Sequence, residues 1–396
     1  MRQRVGSKRR PIKGRRGRPG FHKTAAAILA ALASGCATLE HENTAAWIER
    51  PRARDYTVAG LVCETVVARP IRDWIIGPWL SRPGDRAWNI DANGGVQDSA
   101  FFTNRDLRAM TPADAARGPC TGPPPQLPLK VEKARPTGST PKIIVRDATG
   151  RRFFVKLDHP EWPELGSTAE IVTTRILWAL GYNVLPSYPI VLEGMSDPSL
   201  NGRRAAAVLE ADGQVMGHFD LDDFRFRREF RALRVACAWV NEADRVALNT
   251  LVVEREGRAR YYLIDFNGSL GSWQGLPKEP WRGWRYVLDL EWGPLMFLTL
   301  GLVHPGFDPN QPIVSSAVGR FDARLDPKRW RNQMPVTAFD RMTDEDGRWM
   351  ARRIAEFTEE HLRAIIAEAR LSHASDADYL LKSLLERRRR ILEAWP

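Results

Sequence analysis

Three polar residues between positions 241 and 268 have the types and spacings that phosphoryl-transfer chemistry uses. In "NEADRVALN", Asp244 and Asn249 are five residues apart, and Asp265 follows the apolar run of "YYLIDFNGS". Such transfer requires carboxylate and amide oxygens on a metal ion and a carboxylate beside the attacking hydroxyl. The segment therefore predicts Asp244 as the base and Asn249 and Asp265 as metal ligands. A surface loop followed by a hairpin is the alternative that the same residues leave open.

A lysine and a glutamate upstream supply the remaining groups. Lys156 ends the strand-like run "RRFFVKLD", and Glu170 lies 14 residues later, in the first turn of a predicted helix. In kinases the third-strand lysine contacts the nucleotide phosphates and pairs with a glutamate on the following helix. We therefore assign Lys156 to phosphate binding and catalysis, with Glu170 as its partner. The alternative is a surface lysine and a helix-capping glutamate.

The elements that must position these residues follow from the hydrophobic pattern. The runs "LPLKVEKARP", "PKIIVRDA" and "RRFFVKLD" predict three strands joined by the turn signals "TGST" and "ATG". A helix is predicted from an N-cap at Ser167, with Glu170 three residues later, to a C-terminal glycine at Gly181. Two more strands follow, in "SYPIVLE" and "RRAAAVLEA". The resulting order is three strands, a helix and two strands.

Beyond residue 220 the pattern becomes helical, with one interruption. The runs "TLVVE" and "RYYLIDF" predict a hairpin that returns Asp265 towards Asn249. Helices are predicted before this hairpin in "RALRVACAWV", where Cys237 should be buried and inert, and after it in "DEDGRWMARRIAEFTEEHLRAIIAEARL" and "DADYLLKSLLERRRRILEAW". The run 387–390 of four arginines predicts a solvated helix face.

The segment between the first two strands is the place where a phosphate-covering loop would lie. Here "RPTGSTPK" offers a single glycine, Gly138, beside Ser139 and Thr140. Backbone amides and the two hydroxyl groups could hold a phosphate. A plain β-turn is an equal alternative.

These motifs together resemble the protein-kinase-like fold. The stretches "FVKLDHPEWPELGSTAEIVTTRILWALGYNV", "RVACAWVNEADRVALNTL" and "YLIDFNGSLGS" are similar to a bacterial, often lipoprotein-like family with a HipA-like kinase core. The similarity covers most of residues 85–396, and the spore-coat kinase CotH is a more distant resemblance. The resemblance to the kinase-like family implies an α+β, two-lobed fold. The N-lobe, at 125–215, would be an antiparallel five-stranded sheet with one helix. The C-lobe, at 216–396, would be mostly helical.

The sequence departs from the kinase pattern at two places. Glu242 and Ala243 stand where kinases have His-Arg before the catalytic aspartate, and Asn267 replaces the glycine of the metal-binding D-F-G segment. The resemblance nevertheless implies ATP as the nucleotide. An aspartate with an asparagine suits Mg²⁺ or Mn²⁺ and not zinc, and the seven histidines form no Cys/His cluster.

Most of the positive charge lies in a leader. Residues 1–23 hold ten of the Lys and Arg residues and no acid, so the formal net charge of +11 falls to about +1 for the remainder. This distribution argues against nucleic acid as a partner. Residues 1–36 are predicted to be a basic leader and lipoprotein-type signal, because the uncharged stretch "TAAAILAALASG" is followed directly by Cys36, the expected lipidation site. The alternative is a basic tail followed by a short Ala-rich helix.

The predicted lipid at Cys36 would place the protein in a bacterial envelope, facing away from the cytoplasm. Residues 37–124 form a predicted irregular N-terminal extension ending in "GPCTGPPPQLP". It contains Cys63 and Cys120, which an oxidising compartment would allow to pair. The sequence leaves that pairing open.

Two functions compete. One is an atypical kinase that uses Mg-ATP to phosphorylate a hydroxyl group of an unknown protein or small molecule, and every polar group it needs is present. The other is a catalytically inactive kinase-fold lipoprotein that acts as an envelope interaction module. The export signal favours the second function, because bacterial envelope compartments are poor in ATP.

Overall fold

The computed structural model describes residues 53–57, 60, 85–135, 142–287, 289 and 292–396. Over these ranges the chain is a mixed α+β protein with an antiparallel sheet of five strands. The predicted leader 1–36, with Cys36, lies outside the described residues. So do Cys63 and the loop residues at 138–140.

The described ranges contain the following regular elements. The strands are β1 (Lys130–Arg135), β2 (Lys142–Arg146), β3 (Arg152–Leu157), β4 (Ser187–Val191), β5 (Arg204–Leu209), β6 (Gln214–Gly217), β7 (Thr250–Arg255), β8 (Arg258–Leu263), β9 (Ser272–Trp273) and β10 (Leu276–Pro277). The helices are α1 (Pro112–Arg117), α2 (Leu165–Leu180), α3 (Arg228–Val240), α4 (Gly293–Leu298), α5 (Thr337–Asp340), α6 (Asp344–Ala355), α7 (Glu359–Ala367) and α8 (Ala374–Ala394). Within these ranges no helix is both long enough and apolar enough to cross a bilayer.

The main sheet has the strand order β1-β2-β3-β5-β4, and every neighbouring pair is antiparallel. The predicted order of three strands, a helix and two strands is confirmed. The strand β3 shows the alternation that a sheet imposes on its side chains. Val155 and Leu157 enter an apolar cluster on one face, so Lys156 between them lies on the other face.

The helix α2 begins differently from the prediction. It starts at Leu165, two residues before the predicted N-cap Ser167, and the residue before it makes no side-chain cap. Asp158, just after β3, does the capping: its carboxylate accepts hydrogen bonds from the backbone N–H of Glu164 at 2.9 Å and of Ser167 at 2.7 Å. The predicted end is confirmed, since Gly181 follows the helix in a left-handed conformation with φ 117°.

We expect Asp158→Ala to lower the free energy of unfolding by about 2–3 kcal/mol, because the N–H groups of Glu164 and Ser167 and the Ser167 hydroxyl lose a buried charged acceptor. Urea denaturation measures this change. Asp197→Ala is the matched control, since Asp197 caps a single exposed turn at Pro198–Leu200. Equal losses in the two variants would contradict the capping role of Asp158.

A second sheet, β6-β7-β8, carries the predicted hairpin as its last two strands. The strand β6, which precedes α3 in the chain, was not predicted. Residues 85–124, predicted to be irregular, contain α1 and contribute Phe101, Phe102 and Leu107 to the main core.

Three buried side chains bear on further expectations from the sequence. Cys237 is fully buried, as predicted, and burial raises the pKa of its thiol. The solvated face predicted for residues 387–390 is wrong for Arg387, which is buried and donates to the backbone carbonyls of Trp239 at 2.8 Å and Ala238 at 2.6 Å. Cys120 is a buried free thiol that donates to the carbonyl of Ser187.

Candidate active site

The end of the β7–β8 hairpin brings Asn249 and Asp265 to neighbouring positions. Ile264 N–H donates to the carbonyl of Asn249 at 3.0 Å, and Asp265 is the next residue. Asp265 has a left-handed φ of 63°, which is uncommon for a residue other than glycine. The buried Arg245 holds this conformation by donating to the carbonyls of Ile264 at 3.0 Å and Asp265 at 2.7 Å. Strained backbone of this kind concentrates at functional sites.

Lys156, Glu170 and Asp265, which the sequence analysis assigned to one site, meet in the structure. Lys156 Nζ donates to Glu170 Oε2 at 2.8 Å and to Asp265 Oδ1 at 3.0 Å. Glu170 Oε2 also accepts the backbone N–H of Phe266 at 2.8 Å. The glutamate of α2 therefore fixes both the lysine of β3 and the chain just after Asp265.

A second lysine, which the sequence analysis missed, completes this cluster. Lys142 lies opposite Lys156 in the β2–β3 register, and its Nζ donates to Asp265 Oδ2 at 2.7 Å. Two like charges directly across a sheet are destabilising unless an anion lies between them. The carboxylate of Asp265 supplies that anion here. From the sequence alone, Lys142 could have been assigned to the site only by placing it opposite Lys156 in the register of the β2–β3 pair.

The charges in this cluster shift one another's pKa values. Burial opposes ionisation of Asp265, yet the ammonium groups of Lys156 and Lys142 outweigh it and hold the pKa of Asp265 well below its usual range. For Lys156, burial would lower the pKa, but the carboxylates of Asp265 and Glu170 outweigh it and raise the pKa. Asp265 and Lys156 are therefore both charged at neutral pH.

Asp244 lies in a different environment from Asp265. Burial raises the pKa of its carboxyl group to about 7, and the neighbouring carboxylate of Glu242 adds to the effect. The side-chain amide of Gln333 donates to Asp244 Oδ1. Asn249 Nδ2 donates to the backbone carbonyl of Asp244 at 2.7 Å, which leaves the amide oxygen of Asn249 as its remaining polar atom.

The two residues before Asp244, which depart from the kinase pattern, have a structural role. Glu242 Oε1 accepts the backbone N–H of Asp244 at 2.9 Å and lies 3.4 Å from the guanidinium Nε of Arg245. Lys278, also missed from the sequence, is buried and donates to the carbonyls of Gly268 at 2.7 Å and Asn241. Burial lowers the pKa of Lys278 to about 7. These groups tie the Asp244 loop to the segment that follows Asp265.

Lys156, Glu170 and Asp265 are therefore in direct contact, and Asp244 and Asn249 are linked to each other beside them. Residues 138–140 cannot be placed, since they lie outside the described ranges. Within those ranges, no group of three or more His, Cys, Asp or Glu side chains is arranged to bind a metal.

We expect Glu170→Gln to lower the free energy of unfolding by about 1–3 kcal/mol, because it leaves the buried Lys156 with one carboxylate instead of two. Urea denaturation is the measurement. Glu161→Gln, an exposed change just before the same helix, is the control and should have no effect. A Glu170→Gln protein as stable as the control would show that the ion pair contributes nothing.

No family model and no curated protein matches the chain. Among the solved structures that match, one described as a Helicobacter pylori proinflammatory kinase CtkA is similar over 68% of this chain and 96% of that chain, at 12% sequence identity and a TM-score of 0.42. A TM-score of this size supports no argument about activity. The five-stranded antiparallel sheet with its helices is compatible with a kinase-like fold.

Proposed function

We propose that the protein is a kinase-like phosphotransferase that uses Mg-ATP to phosphorylate a hydroxyl group of a protein or small molecule. The proposal includes the two-lobed arrangement, with lobes at 125–215 and 216–396. The observation that carries it is the linkage through Lys156, which joins a helix glutamate and the strained Asp265 at 2.8 and 3.0 Å. The Lys156–Glu170 part of this linkage is the ion pair that protein kinases form between the third-strand lysine and the following helix.

The donor set fits a hard divalent cation. Asp265 offers a carboxylate and Asn249 an amide oxygen, and such oxygen ligands are preferred by Mg²⁺ and Mn²⁺. Magnesium commonly binds through one or two protein groups together with substrate phosphates and water. When bound, the ion would neutralise charge on the phosphates.

The chain's own residues would divide the remaining tasks. Lys156 and Lys142 are cross-strand neighbours, so both ammonium groups can turn from Asp265 to the phosphates of a nucleotide. Glu170 keeps Lys156 in place during that exchange. Asp244 would accept the proton of the attacking hydroxyl group, and a base with a pKa near the working pH is efficient in this role.

Nucleotide binding by the full-length protein tests this proposal directly. We expect millimolar ATP to raise the melting temperature, to do so more with Mg²⁺ than with EDTA, and to support phosphate transfer. Lys156→Met should reduce both effects, because it removes a phosphate-binding cation. Lys133→Met, an exposed lysine on β1 of the same sheet, is the matched control and should behave as wild type.

A wild-type protein without stabilisation by Mg-ATP would overturn the proposal. The alternative, a catalytically inactive kinase-fold protein that serves as an envelope interaction module, would then take its place. In that case each substitution at the site would change stability alone.

A further inference from the structure

The loop that carries Asp244 is fastened by two residues from a distant segment of the chain, Asn332 and Gln333. The N–H of Gln333 donates to the carbonyl of Ala243 at 2.8 Å. The buried side-chain amide of Asn332 accepts the N–H of Arg245 and donates to its carbonyl, both at 3.0 Å. The chain is thus held directly before and directly after Asp244, where the His-Arg pair of kinases is absent.

The side chain of Gln333 reaches Asp244 itself, and its orientation is fixed. Gln333 Oε1 accepts a hydrogen bond from Arg282 Nη1 at 3.0 Å, and a guanidinium can only donate. The amide oxygen must therefore face Arg282, which turns Gln333 Nε2 towards Asp244 Oδ1. An amide that was free to turn could instead set its oxygen against the carboxylate, so Arg282 decides which atom Asp244 meets.

The guanidinium of Arg282 is itself held in place. It lies 3.3 Å from the ring centre of Trp273 and 4.6 Å from that of Trp281, and its Nε donates to the carboxylate of Glu279. Only 10% of the side chain is exposed. A planar guanidinium that is already stacked and paired loses little further freedom when it binds an amide. The chain of hydrogen bonds from Arg282 through Gln333 to Asp244 is therefore pre-organised.

The contact with Gln333 distinguishes the two oxygens of the Asp244 carboxylate. Oδ1 accepts the amide N–H, whereas no hydrogen bond from another described residue reaches Oδ2. A carboxylate with one oxygen held and the other open presents a defined lone pair to an attacking hydroxyl group.

We propose that Gln333, oriented by Arg282, is a positioning residue that aims Oδ2 of Asp244 at the acceptor hydroxyl group. This inference rests on the proposed phosphotransferase function. In the step that it serves, the hydroxyl oxygen bonds to the γ-phosphorus, the bond from that phosphorus to the β–γ bridging oxygen breaks, and the hydroxyl proton passes to Oδ2. ADP leaves with the bridging oxygen. Asn332, whose side chain contacts backbone groups, holds the loop and not the carboxylate.

Hydrolysis of Mg-ATP by the full-length protein tests this assignment, with water in the place of the acceptor hydroxyl group. Below the melting temperature, we expect Gln333→Met to lower kcat by about 10–100-fold, because the carboxylate loses the donor that fixes its angle. KM for ATP should not change, since Asp244, Arg282 and backbone groups are the described contacts of Gln333. Gln126→Met, which changes an exposed glutamine before β1, is the control and should behave as wild type.

A double variant separates positioning from a structural role. In Asp244→Asn no base remains to be aimed, so the addition of Gln333→Met should cause no further loss in kcat. If Gln333 only supported the fold, its loss would slow Asp244→Asn by the same factor as it slows wild type.

The role of Arg282 is tested against a neighbour on the same aromatic ring. Arg282→Met should lower kcat and should add nothing to Gln333→Met, because Arg282 acts through that amide. Arg285→Met is the matched control. The guanidinium of Arg285 also lies 4.6 Å from the ring centre of Trp281, but it donates to the carbonyl of Tyr286. This variant should keep the wild-type rate.

The outcomes separate this assignment from the proposed function. Wild-type kcat in Gln333→Met, or equal slowing of wild type and Asp244→Asn, would overturn the role of Gln333 alone. So would wild-type protein that binds Mg-ATP without hydrolysing it, because a carboxylate aimed in this way would serve water as well. Unchanged kcat in Arg282→Met would overturn the orienting role of Arg282. Wild-type protein that neither binds nor hydrolyses Mg-ATP would overturn the proposed function and this assignment with it.

Discussion

Asp265→Asn abolishes Mg²⁺-dependent nucleotide binding if the proposed function is right. The substitution removes the one carboxylate offered to the metal, and metal stabilisation of phosphoryl transfer is worth several kcal/mol. Phosphate transfer should therefore fall by at least about 10³-fold. Asparagine tolerates the left-handed φ of 63° at this position, so the backbone need not change. Thermal shift with and without Mg²⁺ and a transfer assay are the measurements.

A carboxylate outside the site provides the control for this variant. Asp147 is buried in the turn between β2 and β3, where its carboxylate binds Thr149 and Arg151. Asp147→Asn should therefore lower stability without altering transfer below its melting temperature. If Asp265→Asn instead keeps the Mg²⁺-dependent shift of the wild type, Asp265 is not a metal ligand.

Asp244→Asn should slow phosphate transfer by about 10²–10⁴-fold, the usual effect of removing a general base. Binding of Mg-ATP should be nearly unchanged, because Asp244 is not assigned to the metal. In wild type the rate should rise from about pH 6 to pH 8, as the carboxyl group with a pKa of about 7 loses its proton. This limb of the pH profile should be absent in the variant.

The same carboxyl group makes stability depend on pH. Its folded-state pKa of about 7 exceeds its ordinary value of 3.8, so the folded protein binds the proton more tightly. The stability contributed by the protonated group is complete below about pH 4 and is lost as the pH rises to about 7. At pH 8, Asp244→Asn should thus be more stable than wild type, by about 1 kcal/mol or more.

Asp212→Asn, which changes an exposed carboxylate beside Arg255, controls for the loss of one negative charge. It should leave the rate, its pH profile and the stability unchanged. Wild-type turnover by Asp244→Asn would exclude the base role, whatever the stability result.

The parts of the fold that depend on local pattern were predictable. Runs rich in β-branched and aromatic residues, separated by turn signals, predicted the strands of the main sheet. Gly181 predicted the end of α2, because a left-handed C-terminal residue has a local signature. The start of α2 was missed because its cap comes from Asp158, before the helix and outside the short capping-box pattern. Arg387 was misjudged because the sequence of a helix face does not show which backbone carbonyls lie against it.

The candidate site also has a part that the sequence predicted and a part that it did not. The spacings of Lys156, Glu170 and Asp265 suggested one site, and the structure brings these residues into contact. Lys142 and Lys278 were missed because their positions depend on strand register and on tertiary packing. Both are lysines whose sequence context resembles that of a surface residue.

The pairing of Lys142 and Lys156 with Asp265 bears on how tightly a nucleotide could bind at the proposed site. If the protein binds nucleotide as proposed, the carboxylate of Asp265, which already pairs with two cations, acts as a tethered competitor of the nucleotide's phosphates at a fixed and high local concentration. The nucleotide would have to displace this carboxylate, and the apparent dissociation constant for the nucleotide would rise by the cost of that exchange. Removal of the competitor in Asp265→Asn should then strengthen binding of metal-free ATP while the metal-dependent part disappears. Under the proposed function, the ligand-free protein should discriminate against weakly charged nucleotides, because only a polyanion can replace the carboxylate on both lysines.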